Sequence, residues 1–133
     1  MSEREEQLAY SEQMAKMLDE GKRRQKARKL IAVIRHGLGV EDLTGLRALD
    51  VGCSAGFIAD ELALAGAATH GVDIDEPGLA KARQRFGDRV DFQVARGEDL
   101  PFADDSMDVV VLNHLYRSEE HTSELQSRQS ISY

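Results

Sequence analysis

Ten residues, Arg47 to Gly56, most narrow what this chain can fold into. They read Arg-Ala-Leu-Asp-Val-Gly-Cys-Ser-Ala-Gly, and a helix-like run, Phe57-Ile-Ala-Asp-Glu-Leu-Ala-Leu-Ala, follows at once. A short buried strand that ends in a glycine turn and opens into a helix is a cradle for a cofactor. Gly52 and Gly56 lack a Cβ, so the chain can turn tightly there and a ligand can approach the backbone closely. A second acid, Asp73, closes the next apolar run, about 20 residues on, where a βαβ unit needs a carboxylate to accept from the hydroxyls of a ribose.

The pattern continues on both sides. Apolar runs bounded by turns recur at 48–51, 69–72, 90–94 and 107–112, alternating with helical stretches at 57–65 and 78–86. That is βαβαβ and a fourth strand, for which parallel pairing with right-handed crossovers is the default. Asp75-Glu76-Pro77 suits a helix start, with acids near the positive end and the proline in the first turn. Ahead of residue 46 the period is helical. Tyr10, Met14, Met17 and Leu18 form one apolar stripe, Gly21 is a plausible break, and Leu30, Ile31, Val33, Ile34 and Leu38 form a second stripe ending near Gly37 or Gly39. The expected fold class is α/β, a Rossmann-like doubly wound parallel sheet with N-terminal helices. Residues 1–45 form the helical segment and 46–116 a partial Rossmann-like domain.

Four stretches, taken in order, resemble the successive motifs of class I S-adenosylmethionine (SAM)-dependent methyltransferases, and most of all the small-molecule and lipid type called type 11. They are Leu49 to Gly56, Gly71-Val72-Asp73-Ile74-Asp75, Glu98-Asp99-Leu100-Pro101-Phe102, and Met107 to His114. The resemblance covers roughly 46–116 and implies SAM as cofactor with a small-molecule or lipid methyl acceptor. It implies that Asp50 anchors the methionine end of the cofactor, directly or through water, and that the backbone comes close at Gly52 and Gly56. Ser54 stands where the family has its middle glycine. Asp73 takes the ribose hydroxyls and Ile74 packs on the adenine face. Many relatives carry an Asp at the position of Arg96, so Gly97 and Glu98 are the expected substitutes for the adenine contact. Asn113 and His114 end the fourth strand near the transferred methyl, where His114 either lines the pocket passively or, if the acceptor must lose a proton, acts as the candidate general base.

The resemblance also implies a seven-stranded sheet, of which this chain holds the first four strands, most of the cofactor pocket and little of the substrate pocket. From Arg117 the sequence resembles a translated short-read sequencing adapter, so 117–133 is expected to be a non-native tail that packs poorly. The strand at 107–112 is then expected to be an open edge, which invites association.

Composition bounds the rest. In 133 residues, 17 basic side chains face 24 acidic ones, net −7, which argues against a general polyanion binder such as a nucleic-acid protein. The one cysteine, Cys53, cannot form an internal disulfide and has no Cys or His partner at ligand spacing, so no metal is expected and a small buried filler is the simpler reading. No apolar run approaches the ~20 residues of a membrane span, no signal peptide follows Met1 and no obligate protein partner is evident, so a cytoplasmic protein is expected. Six cations at Lys22, Arg23, Arg24, Lys26, Arg28 and Lys29 stand out. They could meet an anionic substrate, a membrane surface or RNA, or form a solvated helix face.

Other classes share parts of this pattern. A non-catalytic SAM-binding protein would look the same over these residues. Gly52-Cys53-Ser54-Ala55-Gly56 matches the Gly-x-Ser-x-Gly elbow of α/β-hydrolases, but it follows what reads as the first strand of the sheet. A nicotinamide-binding protein shares the distant acid but needs a glycine spacing that Gly52, Ser54 and Gly56 do not meet.

Overall fold

The structure, a computed structural model, describes residues 2–103 and 105–112, together with the main chain of 131–132. The elements run α1 Glu3–Leu38, β1 Arg47–Val51, α2 Phe57–Leu64, β2 Ala68–Asp73, α3 Glu76–Phe86, β3 Val90–Val94, β4 Val109–Leu112 and β5 Ile131–Ser132. The described strands form one sheet in the order β3-β2-β1-β4-β5, parallel throughout. β1 is central: Asp50 lies opposite Gly71 on one side and Val111 on the other. A main-chain bond from Asp108 N to Arg47 O and a bond from Arg47 N to the Asp108 carboxylate Oδ2, both 2.8 Å, set the β1–β4 register at its start.

Alternation along the strands divides the core into two faces. Ala48, Val109 and Val111 pack with Leu30, Ile31 and Ile34 of α1, Leu43, and Leu62 of α2. Beside them Val90 and Phe92 pack with Phe57 and Ala59 of α2 and with Leu79, Ala82 and Phe86 of α3. Leu49, Val51, Val72, Val110 and Leu112 turn to the other face, where Ala95, Leu100, Phe102 and Met107 of the β3–β4 loop cover them. Each fully buried leucine or isoleucine here contributes about 1.5–3 kcal/mol over leaving it in water.

Local chemistry explains most boundaries. The Ser2 hydroxyl accepts from Glu5 N to open α1, and Gly39, at φ +68°, closes it in the left-handed conformation, as the glycines at its end lead one to expect. Asp75 caps α3 by accepting from Gly78 N, with Pro77 in the first turn.

The N-terminal segment departs from expectation. α1 is one helix of 36 residues, about 54 Å long at 1.5 Å per residue, and it runs straight through Gly21. A glycine inside a helix costs only about 1 kcal/mol. Contacts on both sides of it offset that: Arg85 donates to Glu20 at 3.1 Å, and Arg24 to Asp60 at 2.9 Å. The stripe of Tyr10, Met14, Met17 and Leu18 does not pack on the body; Tyr10 stays 64% exposed and Leu18 61%. Packing begins near Glu20 instead.

The sheet edge departs as well. β5 pairs in parallel with β4 through Val111↔Ile131 and Leu112↔Ser132, so the carboxyl half of β4 is not the open edge expected of it.

Candidate cofactor site

The site begins at the carboxyl end of β1. There the chain leaves toward β2 on one side, while β4 pairs on the other, so β1 lies at the switch point of an open parallel sheet, where ligands bind. The turn after β1 is stitched to β2: the amides of Gly52 and Cys53 both donate to Val72 O, at 2.8 and 3.0 Å, and Gly56 N donates to Cys53 O at 2.9 Å. Three turn residues are left-handed, Gly52 at φ +75°, Ser54 at +53° and Gly56 at +88°. Glycine does this freely. Ser54 does it under mild strain.

Asp73, at the end of β2, is the keystone of this geometry. Its Oδ2 accepts from Ser54 N at 2.8 Å and its Oδ1 from Asp75 N at 3.0 Å, while its main-chain carbonyl accepts from Ala95 N beyond β3. One carboxylate thus ties the glycine turn to the β2–α3 turn. Each oxygen keeps a further acceptor position, since a carboxylate offers about four lone-pair sites in all. Ile74, the next residue, is 70% exposed and presents apolar surface beside that carboxylate.

Asp50 is fully buried under the turn. Cys53 is buried too, and burial, reinforced by the charges of Asp50 and Asp73, pushes its thiol well above the usual range, which fits an inert filler rather than a nucleophile. On the third loop the Asp99 amide donates to Arg96 O at 3.1 Å, which puts Gly97 and Glu98 at the tip of a tight turn. Arg96 reaches Glu98 only at 4.0 Å, and both side chains are exposed.

The structure therefore gathers Asp50, Gly52, Ser54, Gly56, Asp73 and Ile74 around two adjacent turns, with Gly97 and Glu98 on a loop of their own. Asn113 and His114 lie outside the described residues. No group of His, Cys, Asp and Glu among the described residues could hold a metal ion. An open cleft lined by Thr69, His70, Arg83, Arg89 and Asp91 lies at the amino ends of β2 and β3, the opposite end of the sheet from Asp73. Arg83 there is bound to Phe92 O and Arg89 to Asp60.

Sequence reasoning left the destination of the basic stretch open, and two of its arginines pair with acids of α2, Arg24 from a partly buried position and Arg28 from the surface. Arg24 donates to buried Asp60 and to Glu61, at 2.9 and 3.0 Å, and Arg28 reaches Glu61 at 3.2 Å. Burial alone would lower the Arg24 pKa, but the bonds to Asp60 and Glu61 outweigh it and hold the guanidinium above its usual value. The signal was present in α2: two adjacent acids inside an otherwise apolar helix have to find cations if they are buried.

Comparison with known proteins agrees with this geometry. A family profile described as a methyltransferase domain, type 11, matches residues 49–127. A ubiquinone biosynthesis O-methyltransferase of Sinorhizobium medicae is 38% identical over 74 residues, which are 53% of this chain and 30% of that protein. A demethylmenaquinone methyltransferase of Clavibacter sepedonicus is 38% identical over 76 residues, 56% of this chain and 31% of that one. The chain thus spans less than a third of the length of these curated relatives. Among solved structures, the magnesium protoporphyrin IX methyltransferase of Synechocystis PCC 6803 with bound SAH superposes with a TM-score of 0.67 at 22% identity, over 82% of this chain and 54% of that one. At that identity the likeness speaks for the fold alone. With the profile covering more than half of its residues, the chain belongs to the type 11 methyltransferase-domain family.

Proposed function

We propose that this chain carries the SAM-binding part of a methyltransferase that passes a methyl group to a small-molecule or lipid acceptor. The observation that carries the reading is Asp73: a carboxylate at the carboxyl edge of the sheet, next to the glycine turn, with acceptor capacity left on both oxygens after taking Ser54 N and Asp75 N. That chemistry fits the paired hydroxyls of a ribose. Exposed Ile74 offers an apolar surface for an adenine ring, and the Gly97–Glu98 turn supplies polar groups for its edge. Asp50, with no exposed surface, acts on the methionine end through the turn or a water rather than by open contact.

When bound, SAM supplies an activated methyl with a neutral thioether as leaving group, so the protein's part is alignment and exclusion of water. In this reading Asn113 lies near the transferred methyl, and His114 is the candidate base for acceptors that must lose a proton. Both named relatives belong to quinone chemistry, which favours the lipid end of the acceptor class. The net charge of −7 supports a reading without nucleic acid. No helix among the described residues is long and apolar enough to cross a membrane, in keeping with a proposed cytoplasmic setting. We also propose that 117–133 is a non-native tail and that 46–116 is the native domain segment.

Calorimetric titration of the chain with SAM, its demethylated product SAH, and NADH tests the reading. Binding of SAM and SAH but not NADH is expected. Binding of NADH in their place overturns the assignment.

A further inference from the structure

We propose that Arg24 is a positioning residue for the glycine turn, acting through buried Asp60 and the ring of Phe57 on the first turn of α2; the proposal rests on reading that turn as a SAM site. The connection can be followed atom by atom. Phe57 follows Gly56 directly, and Asp60 N donates to Gly56 O at 2.8 Å, so the first turn of α2 fixes where the glycine turn ends. Asp60 is fully buried on that turn and holds two guanidinium groups, Arg24 on Oδ2 at 2.9 Å and Arg89 on Oδ1 at 2.7 Å. The Arg24 guanidinium also lies over two rings, 5.3 Å from the centroid of Phe57 and 5.4 Å from that of Phe86.

One of those rings, Phe86, presses on the turn together with Phe92 of β3. A Cβ placed on Gly56 would come within 3.1 Å of both Phe86 and Phe92, so the backbone there already fills its space. Arg24 thus holds α2 through Asp60 and the face of Phe57, and it also lies over Phe86 of α3, where Arg85 covers the same two rings at 5.0 and 5.2 Å. The turn held between α2 and β2 is the one whose Ser54 amide points at Asp73. A partly buried charge network is stiff, and α1 joins it through Arg24 on Asp60 and Glu61 and through Arg28 on Glu61. The Arg24 contact of α1, rather than its apolar packing, is therefore what couples this helix to the geometry of the cofactor turn.

The test compares Arg24→Met, Arg24→Lys and Leu30→Ala in the full chain. Leu30 packs α1 on the core away from the Asp60 network, so its truncation loosens the helix without touching the turn. The readouts are SAM and SAH affinity by calorimetry, and amide exchange at Ser54 and Gly56 relative to Leu49 and Val51 in β1. Arg24→Met is expected to weaken both ligands by about tenfold, the kind of loss that small misplacements of a site cause, and to speed exchange at the turn selectively. Arg24→Lys should recover part of the loss, since an ammonium keeps the charge but not the planar fork. Leu30→Ala should lower the melting temperature with affinity unchanged within about twofold. Unchanged affinity and exchange in folded Arg24→Met overturns the proposal. If Arg24→Met does not fold, Arg24→Lys carries the test, with about threefold weaker binding expected and no change refuting it. Selective loosening of the turn in a chain that binds neither SAM nor SAH would uphold the positioning role and sink the cofactor reading.

Discussion

Replacing Asp73 with asparagine is the most informative perturbation, because the structure gives its side chain two roles that the substitution separates. Both oxygens already accept a backbone amide, Ser54 N at 2.8 Å and Asp75 N at 3.0 Å. Asparagine offers one acceptor oxygen and one NH2 group, so whichever amide meets the NH2 loses its partner and faces another donor. Hydrogen bonds to a charged group are worth about 1.5–3 kcal/mol, and water reaches this edge of the sheet, so a loss of about 1–2 kcal/mol is expected without any ligand. For a chain of this size that lowers the melting temperature by about 3–10 °C. SAM and SAH should each bind at least about tenfold more weakly, since one ribose acceptor is gone and ~1.4 kcal/mol is a decade. Both ligands are affected alike because the ribose is common to them. Differential scanning of the free chain and calorimetry with each ligand separate the two effects. An unchanged melt refutes the latch between the turns, and unchanged affinity refutes the ribose assignment.

Ser54→Gly should leave ligand affinity unchanged and alter stability by no more than about 1 kcal/mol, because relief of the left-handed strain at φ +53° is offset by the greater freedom of glycine in the unfolded chain; chemical denaturation measures it. Gly71→Ala should destabilise by about 1–3 kcal/mol, since its Cβ would lie 2.8 Å from Phe92 Cδ1 and 3.2 Å from Cys53 Sγ, and a second change, Phe92→Leu, should recover part of the loss. Asp108 is held below its ordinary 3.8 by hydrogen bonds from the Arg47 side chain and amide. A carboxylate depressed in this way stabilises the fold fully above its unfolded value and loses the effect as pH falls through the folded one. The gap in denaturation midpoint between wild type and Asp108→Asn should therefore be constant from neutral pH to about pH 5 and shrink below about pH 4; a gap that persists to the acid limit counts against the pairing.

The centre of the fold was legible because several local signals there agree. At Arg47 to Gly56 the strand period, the glycines and the onset of helix point the same way, and Val90–Val94 emerges with its expected bounds. The partner of Asp73 was less legible: its place at a strand end follows from spacing, but its bond to Ser54 N depends on how the turn folds back. Gly21 misled because a lone glycine is a weak breaker, and ion pairs from α2 and α3, distant in sequence, decide whether a helix passes through it. The stripe at Tyr10, Met14, Met17 and Leu18 has helical period, yet period says only that a face exists and not that anything covers it. Arg24 and Asp60 are 36 positions apart, and no local pattern pairs them. β5 falls in 117–133, the stretch whose resemblance to a translated adapter led to the expectation of a poorly packed tail, and two residues of strand carry no period that could have argued otherwise.

The central place of β1 has a consequence for how the chain is made. Its pairing with β2 closes soon after both strands emerge, but Arg47 must wait for Asp108, 61 residues later, before its other side is covered. At a ribosomal rate of about 5–20 residues per second that wait is roughly 3–12 s. Toward the end of this interval, once β3 has followed β2, the nascent chain can form a three-stranded sheet that α1 and α2 cover on one face, while the free flank of β1 and the Leu49 and Val51 side chains remain in water. The flank left open is the one beside which the ligand crevice later forms. A chaperone that shields short parallel edges would have its contact there, and synonymous codons that speed translation between β3 and β4 would shorten the time it is needed.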